Sequence, residues 1–350
     1  MQQTPITMNL ILDNLRPVLT VGFLGFAVSM LLTPIYTHLA FKYQWWKRPR
    51  TDTVSGEKAA VYSKIHASKH RRHIPTMAGM ISLIALSIVT IFFNLDRGQT
   101  WLPLAAAIGA GLVGLLDDII NLYGSGRGTA GLNFKMKLLL TTFIAAGLSY
   151  WFVYKLGYSS LHIPFGGDWA VAAPLLFLGF VFVIIAMANA VNITDGLDGL
   201  AAGLLVTSFA TFGLIAFLQG NFGIGGFCLT MVGVLLSFLW FNIFPARFFM
   251  GDVGSFAFGT TLAVVAIMLN ATLLLPVVGL MFVVEIVSVV IQLFSKKFFK
   301  RKVFLSAPIH HHFEAHGWPE TKVTMRFWVL GQVCGVLGLL VAVLGGHLKL

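Results

Sequence analysis

Five acidic residues sit where a 350-residue chain offers them mostly apolar neighbours: Asp117 and Asp118 side by side, Asp195 and Asp198 three apart, and Asp252. Adjacent carboxylates repel, and each loses hydration in apolar surroundings, so the Asp117-Asp118 pair needs a cation between its members or a separate partner for each. On a helix they point about 100° apart, which excludes one bidentate pair. It suits two roles instead, a metal or base role and an orienting role; the plainer alternative is a solvated helix end. In Asn189-Ala-Val-Asn192-Ile-Thr-Asp195-Gly-Leu-Asp198-Gly, both the Asn pair and the Asp pair are spaced by three and share a helix face. Gly196 and Gly199 would let a ligand approach the backbone. An Asn/Asp/Gly turn with an N-cap is the alternative, and the spacing of a calcium-binding EF-hand loop is missing. Phe249-Met-Gly-Asp252-Val-Gly-Ser255 opens an apolar run. A glycine-bearing helix N-terminus can bind phosphate, but a carboxylate there opposes phosphate unless a divalent ion bridges them. Magnesium, hard and oxygen-seeking, suits that position; a simple N-cap role for Asp252 is the alternative.

Further candidates lie along the chain. His310-His311-His312 follows Ala307-Pro308, with His316 four residues on. Zinc held by His312 and His316 lacks a cysteine or a third spaced ligand, so anion binding or proton handling is the better use, beside a plain polar loop. Gly126-Arg-Gly128-Thr-Ala-Gly131 has the G-x-G-x-x-G form but no preceding strand, so a dinucleotide fold is not expected. Lys137, just beyond it, could snorkel or meet a phosphate. Glu285 is a costly acid inside an apolar run, with no sharp role read for it.

The elements that must position these residues follow from composition. Hydrophobic residues make up 57% of the chain and charged residues 11%, against roughly 25% charged in ordinary soluble proteins. One soluble core could not hide so much apolar surface, which excludes a soluble enzyme, a disordered chain and a fibrous repeat. Ten apolar runs are read near 17–41, 75–94, 101–116, 138–155, 171–188, 199–218, 222–241, 253–272, 273–294 and 327–347. Runs this long must be helices, because a backbone in lipid satisfies its own hydrogen bonds; the alternation of a membrane β-barrel is absent. The expectation is an all-α, polytopic integral membrane protein of about ten transmembrane helices, one domain over 1–350, without internal repeats. Cys228 and Cys334 both lie inside apolar runs and suggest neither a disulfide framework nor a zinc site. No cleaved signal peptide is expected, since the start lacks a basic region and a small-residue cleavage site.

Five polar connections, near 42–74, 117–137, 189–198, 242–252 and 295–326, carry 20 of the 24 Lys and Arg residues. The positive-inside rule places them in the cytoplasm and both termini on the periplasmic side. Nine of the 13 acids fall on the same side, so one face gathers acids and bases together. That mixture suggests chemistry with anions and a metal. The net charge of +11 is therefore read as topology rather than as a nucleic-acid signal.

The chain resembles the MraY-type phospho-N-acetylmuramoyl-pentapeptide transferases, members of the polyprenyl-phosphate N-acetylhexosamine-1-phosphate transferase superfamily. The carriers are Asp117-Asp118, NAVNITDGLDGLAAG at 189–203, FFMGDVGS at 248–255 and APIHHHFEAHGWPETKVTMRFW at 307–328. The resemblance implies ten helices in the bacterial inner membrane and an active site on the cytoplasmic face. It implies transfer of phospho-MurNAc-pentapeptide from UDP-MurNAc-pentapeptide to undecaprenyl phosphate, giving lipid I and UMP in peptidoglycan synthesis, with Mg2+. By the same resemblance Asp252 would bind the metal, with Asp117 as a second ligand. Asp117 and Asp118 would handle the lipid phosphate, one as base. Asn189, Asn192, Asp195, Asp198, Asn242 and Lys137 would hold the nucleotide side, and His310, His311 and His312 would lie beside the diphosphate or the sugar-peptide. A homodimer is compatible with the resemblance; the residues fix no oligomeric state. One stretch departs from the family: where it usually shows Lys followed by Gly-Thr-Pro-Thr-Met-Gly-Gly, this chain reads Arg71-Arg-His-Ile-Pro-Thr-Met-Ala78-Gly79. Arg71, a substrate-binding candidate, keeps the charge but brings a planar fork in place of a point charge.

Three rivals remain on the sequence. A transferase of the same superfamily using another UDP-sugar shares the chemistry, but the His-His-His and Gly317-Trp-Pro-Glu320 stretch argues against it. A secondary transporter would place its polar groups near mid-membrane and often repeat its halves. A structural scaffold would not need nine acids among twenty bases on one side.

Overall fold

The computed structural model describes residues 8–46, 73–123 and 131–348. Arg71 and the segment Gly126–Gly128 lie outside the described residues. The helices are α1 (Met8–Lys42), α2 (Gly79–Phe93), α3 (Trp101–Tyr123), α4 (Phe134–Tyr150, continued by a π-helical turn to Lys155), α5 (Ala173–Thr194), α6 (Leu200–Leu218), α7 (Phe222–Asn242) and α8 (Gly251–Met268). They continue as α9 (Leu275–Val278, entered through a 3-10 turn), α10 (Leu280–Phe299), α11 (Ile309–Ala315) and α12 (Glu320–Leu344). Eight of them are long and apolar enough to cross a membrane. The segment Thr272–Val278 with α10 makes a ninth, bent by 83°, and α2, at 15 residues, supplies the last apolar run. The helical, multi-pass architecture read from hydropathy therefore holds, with one run broken and one short.

Helix α8 is the axis of the bundle. Its apolar window is 94% buried, whereas those of α1, α4 and α12 are 33% buried. It packs against α3, α5, α2 and α6. The sequence explains the burial: Gly254, Ser255, Ala257, Gly259, Thr260, Thr261 and Ala263 keep its surface small, so neighbouring helices approach closely. At Gly114 the α3–α8 approach is tightest, since a Cβ there would come 2.1 Å from the Asp252 carbonyl oxygen. The outer helices turn Phe23, Leu31, Phe143 and Val336 outward, as a lipid-facing surface requires.

A short antiparallel hairpin was not anticipated. Between α4 and α5, β1 (Ser160–Ile163) pairs with β2 (Gly167–Ala170), with His162 opposite Asp168. Two four-residue strands around Pro164-Phe-Gly-Gly167 are too short for hydropathy to separate from a loop.

The connections sort to two ends. At one end, Ala78 N–H donates to the Phe249 carbonyl, Gly199 N–H donates to Asn242 Oδ1, and Asp198 N–H donates to Glu320 Oε1. At the other, Asn94 Nδ2 donates to the Gly223 carbonyl, His162 N–H donates to Asn270 Oδ1, and Gln219 Nε2 donates to the His347 carbonyl. The described parts of all five polar connections meet at the first end.

Candidate active site

The α3 helix continues past Asp117 and Asp118 to Tyr123, so neither acid is at a helix end. Both are buried, at 1% and 0% exposure, which removes the solvated-end reading. Each carboxylate has its own surroundings, as their angular separation on a helix demands. Asp117 Oδ1 accepts from the Leu132 N–H at 2.7 Å, and its Oδ2 lies 3.1 Å from Lys137 Nζ. Asp118 Oδ2 accepts from the Val253 N–H at 3.0 Å, one of the donors left open at the start of α8.

Lys137 joins two elements. Its Nζ donates to Asp252 Oδ2 at 2.6 Å while paired with Asp117, and it lies 5.4 Å from the Phe256 ring centroid. The Lys137 side chain is 18% exposed, and its ammonium sits between two largely buried carboxylates. Asp252 is not the N-cap of α8: Met250 holds that position without a side-chain cap, and Asp252 lies in the first turn. A negative charge there is favoured by the helix dipole.

The side chains of the Asn189–Asp198 stretch turn to different partners. Asn192 Nδ2 donates to Ser255 Oγ at 2.9 Å, tying the end of α5 to the first turn of α8. Asn189 Nδ2 donates back to the Ile185 carbonyl within its own helix. Asp195 ends α5, half-buried. Asp198 is buried, and its Oδ2 accepts from the Ala246 N–H at 2.9 Å. Asn242 closes the same corner, its Nδ2 donating to the Phe248 carbonyl and its Oδ1 receiving Gly199 N–H, both at 2.9 Å. The close approaches at Gly196 and Gly199 come from this chain itself, from the His310 ring and from Trp328.

The histidines lie on α11 and the residue after it. His310 Nδ1 is 2.9 Å from Glu285 Oε2, both side chains being fully buried. His311 Nδ1 is 2.6 Å from Glu314 Oε2. His312 Nδ1 receives the Leu305 N–H, and His316 Nδ1 donates to the His312 carbonyl. Burial, then the neighbouring His316, holds the His312 imidazole below its ordinary pKa. Among the described residues no three His, Cys, Asp or Glu side chains converge as a ready metal cage.

Sequence reasoning named most of these residues but missed several partners: Ser255, Glu314 and Glu320, and the use made of Glu285. The first three lie inside stretches it had singled out, and an acid alone in an apolar run was itself the signal for Glu285. The arrangement amounts to a buried carboxylate pair around a cation, at a helix N-terminus, with a histidine helix on the same end of the bundle. Such a site can neutralise and orient phosphate esters.

Residues 100–270 match the family model described as Glycosyl transferase family 4. Over 278 residues, the chain is 41% identical to the phospho-N-acetylmuramoyl-pentapeptide-transferase of Staphylococcus carnosus (strain TM300), covering 77% of this chain and 85% of that protein. It is 36% identical to the protein of the same name from Chloroflexus aggregans (strain MD-66 / DSM 9485) over 351 residues, covering 96% and 92%. The Staphylococcus aureus (strain Newman) protein of that name is 41% identical over 278 residues.

Proposed function

The chain belongs to the phospho-N-acetylmuramoyl-pentapeptide-transferase family, and from that premise we propose that it moves phospho-MurNAc-pentapeptide from its UDP ester to undecaprenyl phosphate, releasing UMP and leaving lipid I. The observation that carries this reading is the Asp117–Lys137–Asp252 bridge beside Asp118, buried at the start of α8. Donor and acceptor are both phosphate esters, and their mutual repulsion must be screened before they meet. The site supplies cationic screening through Lys137 and holds two carboxylates already turned toward a positive charge.

Those carboxylates fit magnesium. The ion takes oxygen ligands, commonly one or two carboxylates with substrate phosphates completing its shell, and Lys137 Nζ marks a position where Asp117 and Asp252 both face a cation. Bound there, magnesium would offset the charge of the diphosphate and of the leaving UMP. Lys137, released from one carboxylate, would reach a phosphate oxygen. Asp118, fixed by the Val253 N–H, is oriented to receive a proton from the acceptor phosphate or to steer it, with Asp117 as the alternative base. Asn192 and Ser255 keep α5 against α8 so that the nucleotide side and the metal side stay in register. Asp195 and the histidines of α11 would meet the diphosphate or the sugar-peptide.

We place the site on the cytoplasmic face of the bacterial inner membrane and both termini on the periplasmic side, because the five basic connections carry 20 of the 24 Lys and Arg residues. A site at the headgroup level lets a soluble nucleotide meet a lipid-anchored phosphate without either crossing the bilayer. The test is UMP release by the purified protein supplied with undecaprenyl phosphate and either UDP-MurNAc-pentapeptide or UDP-N-acetylglucosamine. Release from the first supports the reading; release from the second alone assigns the chain to another branch of the superfamily.

A further inference from the structure

Glu285 stands on α10, in a membrane-spanning segment where an acid is expensive, and it is fully buried. Its Oε2 lies 2.9 Å from His310 Nδ1, while its Oε1 has no hydrogen-bond partner among the described residues. His310 is equally buried, and its Nε2 also lacks a partner. That nitrogen lies against the turn after α5: a Cβ on Gly196 would come within 2.5 Å of it. The ring is held from one side and aimed from the other. A carboxylate accepts hydrogen bonds and cannot donate one when ionised, so a partner nitrogen facing an ionised carboxylate carries the hydrogen. In metal and catalytic sites, the bond made by one ring nitrogen decides what the other can do.

We propose that Glu285 is a positioning residue for the transfer reaction: its carboxylate fixes His310 with hydrogen on Nδ1, and so presents Nε2 at the Asp195-Gly196 turn as the ring atom that engages the phosphosugar donor. This rests on the transferase reading above and adds a residue to it. Glu285 acts only through His310. His311, whose ring centroid is 4.1 Å from that of His310, is held by a different carboxylate, Glu314. The absence of a side chain at Gly196 leaves the space that Nε2 occupies.

The test is a double-mutant cycle on UMP release, using Glu285→Gln, His310→Ala and the pair. Glu285→Gln keeps the size of the side chain but removes its ability to dictate the hydrogen on Nδ1. The expected result is a fall in kcat of at least tenfold with donor KM changed by less than threefold. In the His310→Ala background the same substitution should change kcat by less than twofold, because effects carried by one residue do not add. Equal losses in both backgrounds, or wild-type kcat in Glu285→Gln, would overturn the proposal. If Glu285→Gln does not fold, 15N NMR of histidine-labelled wild-type protein decides, with the His310 signal assigned from His310→Gln. A hydrogen-bearing Nδ1 supports the proposal and an unprotonated Nδ1 overturns it. A wild-type protein that releases no UMP would instead refute the transferase reading, while the NMR result still reports on the Glu285–His310 pair.

Discussion

Replacing Lys137 by Met keeps the side-chain length and removes the charge that two buried carboxylates share. Lys137 Nζ lies 3.1 Å from Asp117 and 2.6 Å from Asp252. At an effective dielectric of ~20, each contact contributes roughly 5–6 kcal/mol of Coulomb attraction before desolvation is subtracted. Desolvating the three groups offsets most of that gain, so the net worth of the bridge is far smaller. Breaking a buried pair by removing one partner nevertheless costs about 3–5 kcal/mol, because the remaining charges stay buried. The 18% exposure of Lys137 argues for the lower figure. Lys137→Met should therefore lose about 3 kcal/mol, a fall in Tm of roughly 6–12 °C at the 2–4 °C per kcal/mol typical of larger domains. The assay is thermal unfolding in detergent near neutral pH, without and with millimolar magnesium. Binding at 100 times Kd returns about 2.7 kcal/mol, so magnesium should restore most of the lost Tm and should raise Tm less in the wild type, where Lys137 competes for the same oxygens. A variant as stable as the wild type, or one indifferent to magnesium, would refute the claim that Asp117 and Asp252 form a cation site.

Other outcomes follow from the same contacts. Gly114→Ala would drive a Cβ to 2.1 Å from the Asp252 carbonyl oxygen; separating α3 from α8 should cost about 1–3 kcal/mol and lower kcat at least tenfold, read by unfolding and UMP release. Asn242→Ala leaves Gly199 N–H and the Phe248 carbonyl without their side-chain partner, so stability should fall by about 2–3 kcal/mol, with donor KM rising as the 195–199 turn loosens. Burial, then the neighbouring His162, pushes His347 down to about 4, against backbone bonding to Asn270 and the charge of Asp168. The unfolded chain then binds the proton first. This contribution, on the order of 1–2 kcal/mol after solvent screening, is complete above about pH 6.5 and lost as pH falls toward 4. His347→Phe should flatten that part of a Tm-against-pH curve.

Much of this was legible in the residues because lipid enforces simple rules. Uninterrupted apolar runs had to be helices, and carboxylates within or beside them had to have partners. What one dimension could not show was the choice of partner. Asp117 and Lys137 are separated by a connection whose course hydropathy does not describe, and only the fold shows that Lys137 also reaches Asp252, 115 positions away. Asp198 and Asn242 read as ligand-binding polar groups, and what the sequence does not show is that they also bond backbone at the Ala246–Phe248 corner and at Gly199. Helix ends are hard to read where polar residues continue a helix, as at Asp117-Asp118, because a charge pair in the sequence looks the same inside a helix as at an interface. The hairpin at Ser160–Ala170 escaped because its strands are shorter than the window in which alternation becomes visible.

The central claim is that scattered acids, gathered at the start of α8, let two phosphate-bearing substrates react there. Its most direct test is UMP release by wild type and by Asp252→Ala, each with donor, lipid phosphate and magnesium, after both proteins are shown to be folded at the assay temperature by cooperative unfolding above it. The account predicts release by the wild type that needs all three additions, and a loss of at least a thousandfold in Asp252→Ala. Wild-type turnover in that folded variant would contradict it.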